Sequence, residues 1–94
     1  METAIPTTTF HLGQTVISRG TLERLHSEDV QVALRRHGRG DWGDLSADDK
    51  AENELSLKEG GRLLSAYHDR NQTRFWIITE ATRDVTSVLL PEDY

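Results

Sequence analysis

The chain contains no cysteine, only two prolines and only two each of Phe, Tyr and Trp. Without cysteine there is no disulfide framework, no thiolate metal site and no thiol nucleophile. No apolar run approaches the ~20 residues needed to cross a bilayer. The first residues, METAIPTTT, lack the basic and apolar segments of a secretory signal, so a cytoplasmic protein is expected. Positive charge is also scarce. Eleven Lys and Arg face sixteen Asp and Glu, for a net charge of −5. The arginines are scattered from Arg19 to Arg83, so direct nucleic-acid binding, which needs clustered cations, is not expected. There is no G-x-S-x-G elbow and no phosphate-cradling glycine loop. The four histidines (His11, His26, His37 and His68) form no H-x-x-x-H pair, and Asp41, Asp44, Asp48 and Asp49 do not have the spacing of a calcium loop. No catalytic group, metal or cofactor is therefore expected.

What the chain does contain is enough apolar residues, 35%, for one modest core, and enough charge, 29%, to keep it in water as a single domain. Residues 1–9, polar and Thr-rich with Pro6, read as a flexible arm, and 10–94 as one domain. Thr15 to Ser18 reads as a short strand, stopped by Gly20. Thr21 can cap a short turn of helix. Ser27 then caps a helix whose Val30, Ala33, Leu34 and His37 form one stripe and whose C-terminal glycine is Gly38.

The segment RHGRGDWGDLSADDKAENE, residues 36–54, holds three glycines between positions 38 and 43, so it opens as a loop. Ser46 is the next N-cap, followed by a helix over about 47–59 that Gly60 and Gly61 end. Its buried face is expected to carry Ala47, Ala51 and Leu55, with Asp48, Asp49, Glu52 and Glu54 as an acidic surface. Trp42, between two glycines, is either a plug over the core or an exposed anchor for a partner, since aromatics dominate interface hot spots. The plain reading of Asp41 and Asp44 is turn and cap hydrogen bonding. The functional reading joins Asp41, Trp42, Asp44, Asp48, Asp49 and Glu52 into a partner-binding surface.

The last third reads as three strands, within RLLSAYHDR, TRFWIITEA and TSVLLPEDY, joined by turns at Asn71–Gln72 and Thr82–Asp84. Short turns make them an antiparallel meander. Phe75, Ile77 and Thr79 face one way, and Trp76, Ile78 and Glu80 the other. The expected fold class is α+β, ordered β-α-α-β-β-β, with the C-terminal meander packed by two helices. Glu80, Arg83, His68 and Tyr67 would suit general acid–base work on RNA if they met on the sheet, the plain alternative being a hairpin-end ion pair of Glu80 and Arg83. Arg70, Arg74 and Arg83 lie near the meander turns and form an alternative basic patch. The plain alternative is a solvated rim.

The stretches GDWGDLSADDKAENELSLKEGGRLLSAY, TRFWIITEATRD and TSVLLPEDY, with LGQTVISRGTLERL upstream, resemble a family of small, mostly uncharacterised proteins borne by bacterial plasmids, phages and integrated elements, often labelled type I restriction-related. The resemblance spans roughly residues 12 to 94. It implies a mobile-element setting and brings no catalytic residues. The element order alone is similar to that of RelE/ParE-type toxins, which are basic where ribosome-directed, whereas this chain is acidic. The expected function is a small acidic protein-binding module of a mobile genetic element, an inhibitor of a host defence complex of the anti-CRISPR or anti-restriction kind. The alternative is a RelE/ParE-like toxin or RNA-binding protein using Arg70, Arg74, Arg83 and Glu80. A homodimer through an exposed strand edge is a further expectation.

Overall fold

The computed structural model describes residues 9–94; the expected arm, apart from Thr9, lies outside the described residues. Strand β1 (Gln14–Ile17) is followed by the short helix α1 (Arg19–Arg24), α2 (Ser27–Gly38) and α3 (Ala47–Glu59). Strands β2 (Leu63–His68), β3 (Arg74–Thr79) and β4 (Val85–Leu89) then form the meander, and a 3₁₀ turn, Pro91–Asp93, ends the chain. The fold is α+β, as expected. The sheet order is β1-β4-β3-β2, antiparallel except for the parallel pair β1 and β4.

Sequence cues account for most element ends. Ser18 caps α1 by accepting the Thr21 N–H at 3.2 Å, so the chain turns into helix there and Gly20 lies inside it. Ser46 caps α3 through the Asp49 N–H, and Gly60 closes it in the left-handed conformation at φ 86°. Ser27 is the first residue of α2 rather than its cap. Asp69 ties that helix start to the β2–β3 turn, accepting from the His26, Asn71 and Thr73 N–H groups.

Alternation in the strands makes the core. Leu63, Ser65 and Tyr67 of β2, Phe75, Ile77 and Thr79 of β3, and Thr86 and Val88 of β4 are all buried, in register on one face. Val30 and Ala33 of α2, with Leu25 and Leu90, pack with Tyr67, Phe75, Ile77 and Val88 of that set. On the reverse face Ala66 and Ile78 are buried and Trp76 is half-buried, its ring edge-on to Tyr94 at 5.4 Å.

Helix α3 turns the opposite way from the expectation. Ala47, Ala51 and Leu55 face solvent, with Leu55 52% exposed, and the buried residue is Asn53. Helical residues two positions apart are separated by about 200°, so seating Asn53 inward turns Ala51 and Leu55 outward. The Asn53 amide donates to the Leu64 carbonyl at 2.7 Å and accepts the Leu64 N–H at 3.1 Å. It thus plays the part of a neighbouring strand along the outer edge of β2. An apolar residue could not satisfy those two peptide groups. We expect Asn53→Ala to lower the unfolding free energy by about 2 kcal/mol in urea titration, and Leu55→Gln to change it by less than about 0.5 kcal/mol.

Candidate functional site

The loop before α3 is built into the same sheet edge. The Trp42 carbonyl accepts the Ala66 N–H at 3.2 Å, and the Asp44 N–H donates to the Ala66 carbonyl at 2.7 Å, a one-residue parallel bridge at Gly43. Gly43 has φ 73°, and a Cβ there would lie 2.0 Å from the Ala66 oxygen, so backbone proximity itself demands glycine. Trp42 is 3% exposed. Its ring lies between Phe10 and His37, at 6.1 and 5.7 Å, and its indole N–H donates to Glu54 Oε2 at 2.9 Å. It is a plug, and in this position its ring cannot anchor a partner.

The expected partner-binding residues therefore divide. Asp41 is held by the Arg36 guanidinium at 2.7 and 3.2 Å, which keeps its carboxyl below the ordinary aspartate range. The Asp41 carbonyl also accepts from the Tyr67 hydroxyl at 2.6 Å, beneath Arg36, which sits 4.9 Å from the Tyr67 ring centre. Asp44 pairs with His68 at 2.7 Å. Both serve the loop. Asp48, Asp49 and Glu52 remain outward, without ion-pair partners among the described residues. They share a shallow groove with Leu45, Ala51, Leu55, Arg62 and Leu64. A second groove on the other side of Ala51 and Leu55 is lined by Glu54, Leu57 and Lys58. The spacing of Ala51 and Leu55 predicts a core-facing stripe, but the structure leaves both exposed as a ridge. An apolar stripe has the same periodicity whether it faces a core or a partner.

The alternative basic patch does not assemble. Arg70 and Arg74 stand at the end of the sheet where β3 begins; Arg83 stands at the end where it leaves. Six strand residues at about 3.3 Å each separate the two ends. Arg70 is occupied by Asp29 and Glu28, at 3.0 and 3.2 Å, and holds the Asp29 carboxyl down at about 2. Arg83, at φ 62°, donates to the Ser56, Gly61 and Glu80 carbonyls, closing the C-terminus of α3 onto the β3–β4 turn. Glu80 pairs with Arg62, whereas His68 is at the opposite end beside Arg74. Turns preceding and following one strand lie at opposite ends of a sheet, which makes this patch impossible in a meander.

A chain of buried polar groups runs between α2 and the sheet. His37, 0% exposed, meets Ser65 Oγ through Nδ1 and Thr79 Oγ1 through Nε2 at 2.9 Å. Thr79 Oγ1 lies 2.7 Å from Thr86 Oγ1, which donates to the Leu12 carbonyl at 2.6 Å. The terminal carbonyl only accepts, and this orders the protons. Thr86 accepts from Thr79, Thr79 from His37 Nε2–H, and His37 Nδ1 from Ser65. A serine beside an imidazole resembles a nucleophile and its base, but Ser65, Thr79 and His37 are all fully buried. No substrate can reach them, and the chain joins α2 to the sheet. Ser65, Thr79 and Thr86, one on each strand and each two residues from an inward-facing apolar neighbour, are the signal that reveals it.

Among the described residues no group of three or more His, Asp or Glu side chains is placed to hold a metal, and no helix is long and apolar enough to cross a membrane. No protein-family model matches the chain, and neither does any curated protein or solved structure.

Burial, with a smaller push from Arg83, lowers His37 to about 4. The unfolded chain takes up this proton near 6.5 and the folded chain only near 4. Between these values the unfolded state binds more protons, so stability is full above pH 6.5 and falls as the pH drops toward 4. The shift corresponds to about 3 kcal/mol. Urea midpoints from pH 7 to pH 4 should record this loss, and His37→Gln should flatten it. Asp29 adds its own loss at lower pH, from about 3.8 down through about 2.

Proposed function

We propose that the protein is a non-catalytic protein-binding module whose contact surface is the outward face of α3. The observation that carries this reading is the exposed pair Ala51 and Leu55 on a helix attached to the sheet from its other side. Asp48, Asp49 and Glu52 border that ridge. The complementary partner presents an apolar side chain flanked by Lys or Arg, since apolar contact supplies affinity and opposed charge supplies orientation and association rate. The surface is a local acidic contact rather than a broad mimic of nucleic acid, in keeping with a net charge of only −5. In the mobile-element setting implied by the family resemblance, the partner is a basic protein of a host defence complex of the CRISPR or restriction kind. The module then acts in the cytoplasm as its inhibitor.

The test is capture by the tagged protein from a bacterial lysate, with nuclease treatment as control, followed by titration of the purified partner. Retention of a defence effector after nuclease treatment is expected. Leu55→Ser combined with Asp48→Asn and Glu52→Lys should weaken binding about tenfold or more, with the circular dichroism spectrum unchanged. Arg70→Ala and Arg74→Ala should leave binding unaltered. Ribosomes or RNA that disappear on nuclease treatment would count against this reading and favour the toxin-like alternative.

A further inference from the structure

The two edges of the sheet are treated differently. The β2 edge is occupied by the Trp42–Asp44 bridge and the Asn53 amide. The opposite edge belongs to β1, which among the described residues pairs only with β4. The Gln14 N–H donates to the Asp84 carbonyl, so Gln14 and Val16 turn their peptide groups toward β4. By alternation Thr15 and Ile17 turn theirs outward, and among the described residues neither has a backbone partner there.

Apart from its four-residue length, this edge has none of the usual protections. The strand QTVI contains no charge and no proline, and it pairs with β4 residue for residue, without a bulge. Exposed apolar groups flank it on both faces. Val16, 40% exposed, lies on the reverse face. Leu22, 47% exposed, lines a crevice with Thr15, Ile17 and Leu34 on the α2 face.

We infer that β1 is a self-association edge, pairing antiparallel with β1 of a second copy of this chain about a two-fold axis at Val16. In that register Thr15 faces Ile17 of the partner subunit, and each such pair exchanges two backbone hydrogen bonds, four in all. Val16 meets Val16 of the partner subunit at the close, non-hydrogen-bonded position, where side chains touch best. The strand suits a second copy because it is uncharged and self-complementary, so the two-fold sets no like charges against each other within it. The blocked β2 edge also explains why assembly stops: each chain has one open edge, and pairing consumes both, giving a closed dimer rather than a fibre. Four residues make a short seam, so the apolar flanks must contribute and the dimer should depend on concentration.

Light scattering and sedimentation of the full chain across a concentration series test this directly. The mass should rise from 10.7 kDa toward twice that value. Thr15→Pro removes an outward N–H that the monomer does not use, and Val16→Lys places a charge on the axis. Both variants should keep the wild-type circular dichroism spectrum and remain at 10.7 kDa. A wild-type mass fixed at the monomer value up to the solubility limit would overturn the inference, as would a dimer that survives folded Val16→Lys. The α3 surface lies at the other edge, so these variants leave it intact.

Discussion

The peptide groups along the outer edge of β2 have to be hydrogen bonded, and the way the chain meets that demand shapes most of the molecule. Among the described residues no further strand is available, so the loop at Trp42–Asp44 supplies one bridge and the Asn53 side chain supplies the next pair of bonds. With Asn53 inward, α3 stands beside the sheet rather than over it, and Ala47, Ala51 and Leu55 are left outside. With the loop drawn against Ala66, Trp42 has nowhere to go but onto Phe10 and His37. The acidic stretch is thus a structural seam first. Any recognition it performs uses what that seam leaves exposed.

The same seam sets the electrostatics. Most charges near the loop and turns are spent on fastening: Arg36 on Asp41, Arg70 on Asp29 and Glu28, Arg83 on the last turn of α3. These pairs are largely exposed and individually weak in water, so their main effect is to choose among loop positions. The buried His37 chain acts differently. Each member donates to the next, and breaking one link strands a polar group in the core. It gives α2 a single seating on the sheet, which apolar contacts between Ala33, Leu34 and the strands would define less sharply. A small core with few aromatics benefits from such directional bonds.

The sheet also divides the molecule's surface by edge. One end carries α3, with its acidic and apolar face turned away from the fold. The other carries the bare β1 strand. If two copies join at β1, the two α3 faces lie at the far ends of one continuous sheet, arranged for a bivalent partner or for two partners at once.

Local chemistry determined the elements. Ser46 and Gly60 bracket α3, Gln72 and Arg83 with positive φ mark the two turns, and the period-two pattern of Phe75, Ile77 and Thr79 identifies a central strand. These are effects within a few residues, carried by capping groups and side-chain alternation, so the α+β order was legible from the chain alone. The parallel docking of β1 beside β4, the rotation of α3, the burial of Trp42 and the linking of His37 to Ser65 and Thr79 were decided only in the folded state. Each depends on which backbone groups and polar side chains, 11 to 71 residues apart, need partners in the same place. Periodicity records that a face is apolar or polar. Only the finished sheet, with its β2 edge to cover and no further strand among the described residues to cover it, decides which way that face must turn.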